Sequence, residues 1–405
     1  MAKIQFPCHI VQALEEFASS NDFRKPKFEF LEGSNNGFIG LIKRCKIIED
    51  ERKLSVICKF LPDNKEKNEK YHAVELFRRE IFAYEKFLPQ LVEIQLENGF
   101  KYRDGEGFWS FPVCYKSKFD EENPEKSFII MEDLGENGYV VESMFDFMGS
   151  DYTRRLFTEL GKFHAISFAL RKKNSEVFDE FKSLNDLMCQ LMTTDSMKNL
   201  APRNCQLASE LFEASSEKLV KEKILACKND LWLQVENLLK PNEAEPHGIV
   251  CHGDCWINNI MINYTDKEKK TIKNICLVDW QQTRYGSGAS ELMYFLFCCT
   301  SKSMRDQHKD ELFDIYYESL GKMSRVFRIN IEEDYPREKF DEQLRKFGKF
   351  AFAMALFGVT IDSKYPEILF EDRNTALSEE EEKAVLRYST RMKDVVNDLV
   401  KMNAF

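Results

Sequence analysis

The chain has 405 residues, 43% of them hydrophobic and 31% charged, with a formal net charge of −10. That length is ample for a real core in one large domain or two lobes, and that composition excludes disorder as the main state. The negative charge argues against a nucleic-acid binder, which carries a basic patch or stripe, although a local basic pocket for phosphates stays open. No long apolar run follows Met1-Ala2-Lys3-Ile4-Gln5-Phe6, so no signal peptide is expected. No uncharged stretch approaches the roughly 20 residues of a membrane span. The 12 cysteines are spread irregularly through a large chain. They read as reduced thiols, and a cytoplasmic location is the expectation.

In chain order, Ile39 to Ile48 and Leu54 to Leu61 alternate as strands. A lysine-rich turn from Pro62 to Lys70 leads to a helix over His72 to Leu88, with Val74, Phe77, Ile81, Tyr84 and Leu88 at helical spacing. Pro89 is expected to end that helix. Phe128 to Met131 is a short buried strand, followed by Glu132-Asp133-Leu134-Gly135. Asp151 to Leu170 is a long amphipathic helix, and residues 175 to 240 give several more. Short strands follow at Ile249 to Cys251, Asn259 to Ile262 and Ile272 to Val278. The remainder is helical. The last helix starts at Ser378, with Glu381 three residues on as a capping box. The fold class expected is α+β in two lobes, 1–132 and 133–405, with a helical insert over about 171–245.

The most informative stretch is His252-Gly253-Asp254-Cys255-Trp256-Ile257-Asn258-Asn259. Its frame, His-x-Asp-x-x-x-x-Asn, has the spacing of a kinase catalytic loop. One carboxylate must accept a proton from an attacking hydroxyl, and one amide oxygen must bind the metal on the phosphates. Asp254 is the candidate base and Asn259 the candidate metal ligand; the plain alternative is an ordinary turn. Ile275-Cys276-Leu277-Val278-Asp279 is an apolar strand ending in a carboxylate, where kinases place a second metal ligand. Mg²⁺ prefers such hard oxygen donors.

Lys59 lies in the strand Leu54 to Leu61, on one face with Ile57 and Leu61. In a kinase a lysine here would hold the α- and β-phosphates, and Glu80 on the next helix could pair with it and fix it. Taken singly, Lys59 reads equally as a snorkelling edge lysine and Glu80 as a solvated helix residue. The order strand-Lys, helix-Glu, hinge, catalytic loop, strand-Asp favours function. Gly33 and Gly37, in Gly33-Ser34-Asn35-Asn36-Gly37-Phe38-Ile39-Gly40, are candidates for letting backbone N–H groups approach phosphate, with a hairpin turn as the alternative.

A competing reading is zinc, because His247, Cys251, His252 and Cys255 lie within nine positions. No second Cys/His pair with typical spacing follows. The stretch after Asp279 is too short for a protein-kinase activation segment. About 85 residues separate the Asp151 to Leu170 helix from Asp254. An insert of that size would cover a small substrate.

These residues resemble the ecdysteroid-kinase-like (CHK-kinase-like) family, of the aminoglycoside phosphotransferase and choline kinase group. The resemblance rests on His252 to Asn259 with Val278-Asp279-Trp280-Gln281. Further landmarks are Phe77-x-x-Glu80-x-x-x-Tyr84 with Leu88-Pro89, Met131-Glu132-Asp133-Leu134, and Leu160-Gly161-Lys162-Phe163-His164-Ala165. It spans roughly residues 30 to 360. It implies a bilobal protein-kinase-like fold, ATP and Mg²⁺, and transfer to the hydroxyl of a small-molecule alcohol. Position by position it gives Asp254 as base, Asn259 and Asp279 as metal ligands, Lys59 and Glu80 at the phosphates, and Met131 to Leu134 as the adenine hinge. The sequence departs from the family in carrying Glu291-Leu292 where Asp-Leu is usual, and in its loose glycine loop. Two functional expectations follow: a kinase for a lipophilic, steroid-like or xenobiotic alcohol, or a non-catalytic relative that binds a small molecule or a partner protein. A third reading, an interaction module, rests on the stripe Val385, Tyr388, Met392, Val395 and Leu399 in the last helix.

Overall fold

The computed structural model describes residues 6–32, 40–143, 146–195, 198–266, 268, 271–362 and 377–405. The chain divides into two compact units. One comprises residues 1–93, 109–140 and 261–283, the other 94–108, 141–260 and 284–405. Together they give the expected α+β class: an antiparallel N-terminal sheet and a mainly helical remainder.

In the first unit, β1 (Lys27–Glu32), β2 (Leu41–Glu49), β3 (Arg52–Phe60), β4 (Cys114–Lys118) and β5 (Phe128–Glu132) form one sheet in the order β1-β2-β3-β5-β4. Every neighbouring pair is antiparallel. The hairpin between β2 and β3 closes from Glu49 to Arg52, with Asp50 at φ +50°, a region aspartate tolerates better than most residues. A helix over Cys8–Ser20, to which the sequence reading assigned no element, covers one face of the sheet. Its buried residues Ile10, Ala13, Leu14, Phe17 and Ala18 keep helical spacing. They pack on Cys45, Ile47, Val56, Cys58, Phe60 and Ile130. Burying each large side chain stabilises by about 1.5–3 kcal/mol. Strand alternation sends the intervening residues to the opposite face. The register aligns Ile42 with Lys59 and Lys59 with Ile129, and Arg44 with Ile57 and Ile57 with Met131. One face of the sheet is therefore apolar core, and the other carries Arg44 and Lys59.

The expectation that Pro89 ends a helix is overturned. An α-helix over Ala73–Phe82 widens into a π-turn over Ala83–Phe87 and resumes as an α-helix over Leu88–Glu97. Proline has no N–H to give and its ring clashes inside a regular helix. The wide turn, with Leu88 N–H bonded to Ala83 O, places Pro89 at the start of a fresh segment, where the missing donor costs nothing. The unit is completed by β6 (Tyr139–Val141), β8 (Ile260–Tyr264) and β9 (Ile272–Leu277), in the order β6-β8-β9.

In the second unit, β7 (Ile249–Cys251) pairs antiparallel with β10 (Arg284–Gly286). The expected long helix runs over Ser150–Lys173 and packs along Lys302–Val326, with Phe157 stacked on Phe313. Between residues 176 and 244 lie short helices, as expected. The Gly288–Cys299 helix is buried along its whole length and packs on Gly348–Asp362. The last helix, Glu379–Lys401, starts at Ser378, which with Glu381 forms the expected capping box. Its residues Tyr388, Met392, Val395 and Leu399 are buried, and the helix packs on Gly348–Asp362. Four of the stripe's five residues are therefore packed against the Gly348–Asp362 helix, and Val385 is half-buried, so the stripe reads as core rather than as a free docking face. Among the described residues no helix is long and apolar enough to cross a membrane.

Candidate functional site

Each unit carries one polar cluster built on the residues singled out in the sequence. In the first unit, β3 presents Lys59 on the face opposite the Cys8–Ser20 helix. The Ala73–Phe82 helix presents Glu80, and the turn after β9 presents Asp279. Lys59 Nζ lies 2.6 Å from Glu80 Oε2 and donates to Asp279 Oδ1 at 2.5 Å. The Lys59 and Glu80 side chains are 7% and 1% exposed, whereas that of Asp279 keeps 28%.

Asp279 sits at φ +66°, a left-handed conformation that costs an ordinary residue about 1–2 kcal/mol. Its surroundings hold it there. The preceding Leu277 N–H bonds to Ser110 O. Trp280 is fully buried edge-on to Phe111, with its indole N–H donating to Leu277 O. Gln281 Nε2 donates to Asp279 Oδ2 at 3.0 Å.

The electrostatics follow from one cation shared by two carboxylates. Burial disfavours the Lys59 charge, but Asp279 and then Glu80 outweigh it, and the lysine is held firmly protonated with its pKa raised. Burial pushes the Glu80 carboxyl up to about 7; the pull of Lys59 opposes this and the charge of Asp279 adds to it.

Met131 and Glu132 end β5, and Asp133 and Leu134 begin the turn after it. The Asp133 carboxylate is fully engaged: Arg44 Nε lies 2.6 Å from Oδ2, Ser55 Oγ donates to Oδ2 at 2.6 Å, and Gly135 N–H donates to Oδ1 at 3.1 Å. Glu132 accepts from Val113 N–H and Asn137 Nδ2. Both carboxylates thus brace the strand end. Gly33 and Gly37 lie outside the described residues.

In the second unit, β7 leads into the loop carrying Asp254 and Asn259. Gly253 takes φ +88°, which a side chain would strain. Its N–H donates to Glu291 Oε1 at 2.8 Å, and its carbonyl accepts from Arg284 at 3.0 Å. Glu291 Oε2 lies 2.7 Å from His164 Nε2, whose Nδ1 lies 2.8 Å from Tyr316 OH. Glu291 is 1% exposed, yet its carboxyl is held below the usual range: burial acts against this, and His164, His252 and Gly253 N–H outweigh it. The glutamate that departs from the family's usual aspartate therefore reaches the loop directly.

Asp254 and Asn259 are brought together. Asn259 Nδ2 donates to Asp254 Oδ2 at 2.9 Å and to Asp254 O at 3.0 Å. Tyr294 OH donates to Asp254 Oδ1 at 3.3 Å.

Sequence reading missed Tyr294 and Arg284, and it named Gln281 within the motif Val278-Asp279-Trp280-Gln281 without giving it a role. The signal for Tyr294 was a hydroxyl inside the apolar run Leu292-Met293-Tyr294-Phe295-Leu296-Phe297. No comparable signal marked Arg284. For the zinc reading, His247 stacks on Tyr335 with ring centroids 4.4 Å apart. Cys251 and Cys255 are buried thiols whose pKa burial pushes well up. Among the described residues no three His, Cys, Asp or Glu side chains gather as metal ligands.

Among solved structures, a spectinomycin phosphotransferase in complex with ADP and spectinomycin is similar at TM-score 0.40 and 12% identity, over 100% of both chains. An ethanolamine kinase of Plasmodium vivax is similar at TM-score 0.35 and 11% identity, over 98% of this chain and 96% of that one. No curated protein matches the sequence. The model of the ecdysteroid kinase-like family matches residues 35–329, well over half of the chain, and the chain belongs to that family of kinase-like phosphotransferases.

Proposed function

We propose that the protein transfers the γ-phosphate of ATP, with Mg²⁺, to a hydroxyl of a small molecule, with a lipophilic, steroid-like or xenobiotic alcohol as the acceptor class. The observation that carries this reading is the contact of Lys59 with Glu80 and Asp279, a buried cation held by two carboxylates of which one stays partly exposed. Phosphoryl transfer needs positioning and charge neutralisation more than covalent chemistry from the protein.

The residues present fit both groups. Asp279 offers a partly exposed carboxylate, and Asn259, with its Nδ2 turned to Asp254, offers an amide oxygen. Hard oxygen donors of this kind suit Mg²⁺. Magnesium supplies neutralisation of the phosphate charge when bound. Lys59 binds the α- and β-phosphates, and Glu80 keeps the lysine in place. The Met131 to Leu134 stretch receives the adenine. Asp254 accepts the proton of the acceptor hydroxyl as that oxygen bonds to the γ-phosphorus and the bond to the ADP oxygen breaks. On this reading the helices between residues 176 and 244 form the cover of the acceptor.

The test is thermal stability with ATP, with Mg²⁺ and with both, followed by ADP formation from Mg·ATP across a panel of hydroxylated steroids and smaller alcohols. A ligand that binds only the folded state raises the melting temperature by mass action. A shift that needs both ATP and Mg²⁺, with acceptor-dependent ADP, is the expected result. No shift at millimolar ATP would overturn the reading in favour of a non-catalytic relative.

A further inference from the structure

The Gly288–Cys299 helix touches the Asp254 loop with two polar side chains spaced i, i+3, and therefore on one face. Glu291 accepts the Gly253 N–H at 2.8 Å, and Tyr294 donates to the Asp254 carboxylate at 3.3 Å. One helix thus grips two consecutive loop residues, the first by its backbone and the second by its side chain. Asn259 holds the other carboxylate oxygen at 2.9 Å, so Asp254 Oδ1 and Oδ2 each accept from a different donor.

We propose that Tyr294 is a positioning residue which, with Glu291, fixes the orientation of the Asp254 carboxylate toward the acceptor hydroxyl. This rests on the reading of Asp254 as the base. The plainer account, that Tyr294 only fills the core with its ring, leaves its hydroxyl unexplained. Phe295 and Phe297 fill the same helix without one and are fully buried. A buried hydroxyl is costly unless bonded, and its bond goes to Asp254. The ring itself is fixed: Tyr294 stands edge-on to Phe350 at 6.1 Å, and the same Phe350 lies under the Arg284 guanidinium at 5.2 Å. Arg284 in turn holds the Gly253 carbonyl. Burial, and then the charge of Asp254, push the Tyr294 phenol well above its usual pKa, so it remains a donor at any working pH. A carboxylate held at both oxygens presents its remaining lone pairs in one direction, which is what general-base geometry requires.

The experiment is a pair of double-mutant cycles on the full chain. For turnover, Tyr294→Phe is combined with Asp254→Asn, following ADP formed from Mg·ATP with the best alcohol of the panel. Tyr294→Phe alone should lower kcat roughly 10- to 100-fold, the worth of a hydrogen bond to a charged group, with KM for ATP unchanged. In the Asp254→Asn background it should have almost no further effect. A kcat within twofold of the parent, or losses that multiply, overturns the proposal. For stability, Tyr294→Phe is combined with Asp254→Ala and denaturant midpoints are compared, which needs no turnover. Non-additive shifts support the contact; strictly additive shifts overturn it. If the parent chain phosphorylates none of the alcohols, the catalytic reading fails, and the stability cycle still decides whether Tyr294 holds Asp254.

Discussion

Lys59 and Asp279 stand 220 positions apart in the chain and meet at 2.5 Å. Their contact ties the middle of β3 to the turn after β9, and it makes Lys59 the hinge-pin of a cluster in which Glu80 is the third member. Because one buried cation serves two carboxylates, removing Lys59 or Glu80 has a pH-dependent signature.

Lys59→Met leaves Glu80 buried beside Asp279 with no cation. Breaking a buried ion pair by removing one partner costs about 3–5 kcal/mol. Glu80 already titrates high in the parent chain, at about 7, and losing Lys59 raises it further. Above pH 7 the variant's native state keeps a proton that the parent's native state has released, so the variant loses stability relative to the parent as pH rises. Denaturant melts at pH 7 and pH 9 should show a deficit that grows toward pH 9. A deficit independent of pH would contradict the cluster's charge assignment.

Glu80→Gln tests the same titration from the other side. Unfolded, the carboxyl titrates near its ordinary value of 4.5; folded, it is pushed up to about 7. Between these values the native state binds the extra proton. The contribution of Glu80 to stability is therefore fully present below about pH 4.5 and is lost as pH rises through about 7. The amide variant should show a flatter stability profile over that window, measured by melting temperature against pH.

Asp254→Asn should cut phosphoryl transfer by about 10²–10⁴ while Mg·ATP still raises the melting temperature. Asp279→Ala should lose both transfer and the part of the nucleotide-induced shift that depends on Mg²⁺. Turnover of Asp254→Asn near the parent rate, or an unchanged Mg·ATP shift in Asp279→Ala, would contradict the respective roles.

Ser378→Ala removes the side-chain acceptor for Glu381 N–H at the start of the last helix. The expected cost is about 1 kcal/mol of stability, with ADP formation unchanged. A loss of several kcal/mol would mean that the capping box does more than close this helix end.

Local pattern in the sequence determined much of this protein. Alternation placed β3 and put Lys59 on one face with Ile57, because strand side chains alternate regardless of what they meet. The Ser-x-x-Glu box placed Ser378 at a helix start, because capping is satisfied within four residues. The spacing of Asp254 and Asn259 placed both in one loop for the same reason. The helix over Cys8–Ser20 carries the same kind of signal in the spacing of Ile10, Leu14 and Phe17, although the sequence reading assigned no element there.

Tertiary structure decided the partners. Pro89 reads as a stop, yet the chain passes it by a π-turn, with Phe87, Leu88 and Leu91 buried around it. Glu291 reads as a departure from the family, yet its side chain spans from His164 to Gly253 N–H. Tyr294 reads as one more aromatic in an apolar helix, yet its hydroxyl meets Asp254. The left-handed turn at Asp279 is set by Trp280 and by the Ser110–Leu277 bond. The contacts of Glu291 and Tyr294 depend on which distant groups packing brings within about 3 Å, and hydrogen bonds weaken too steeply with distance and misalignment for local sequence to fix them.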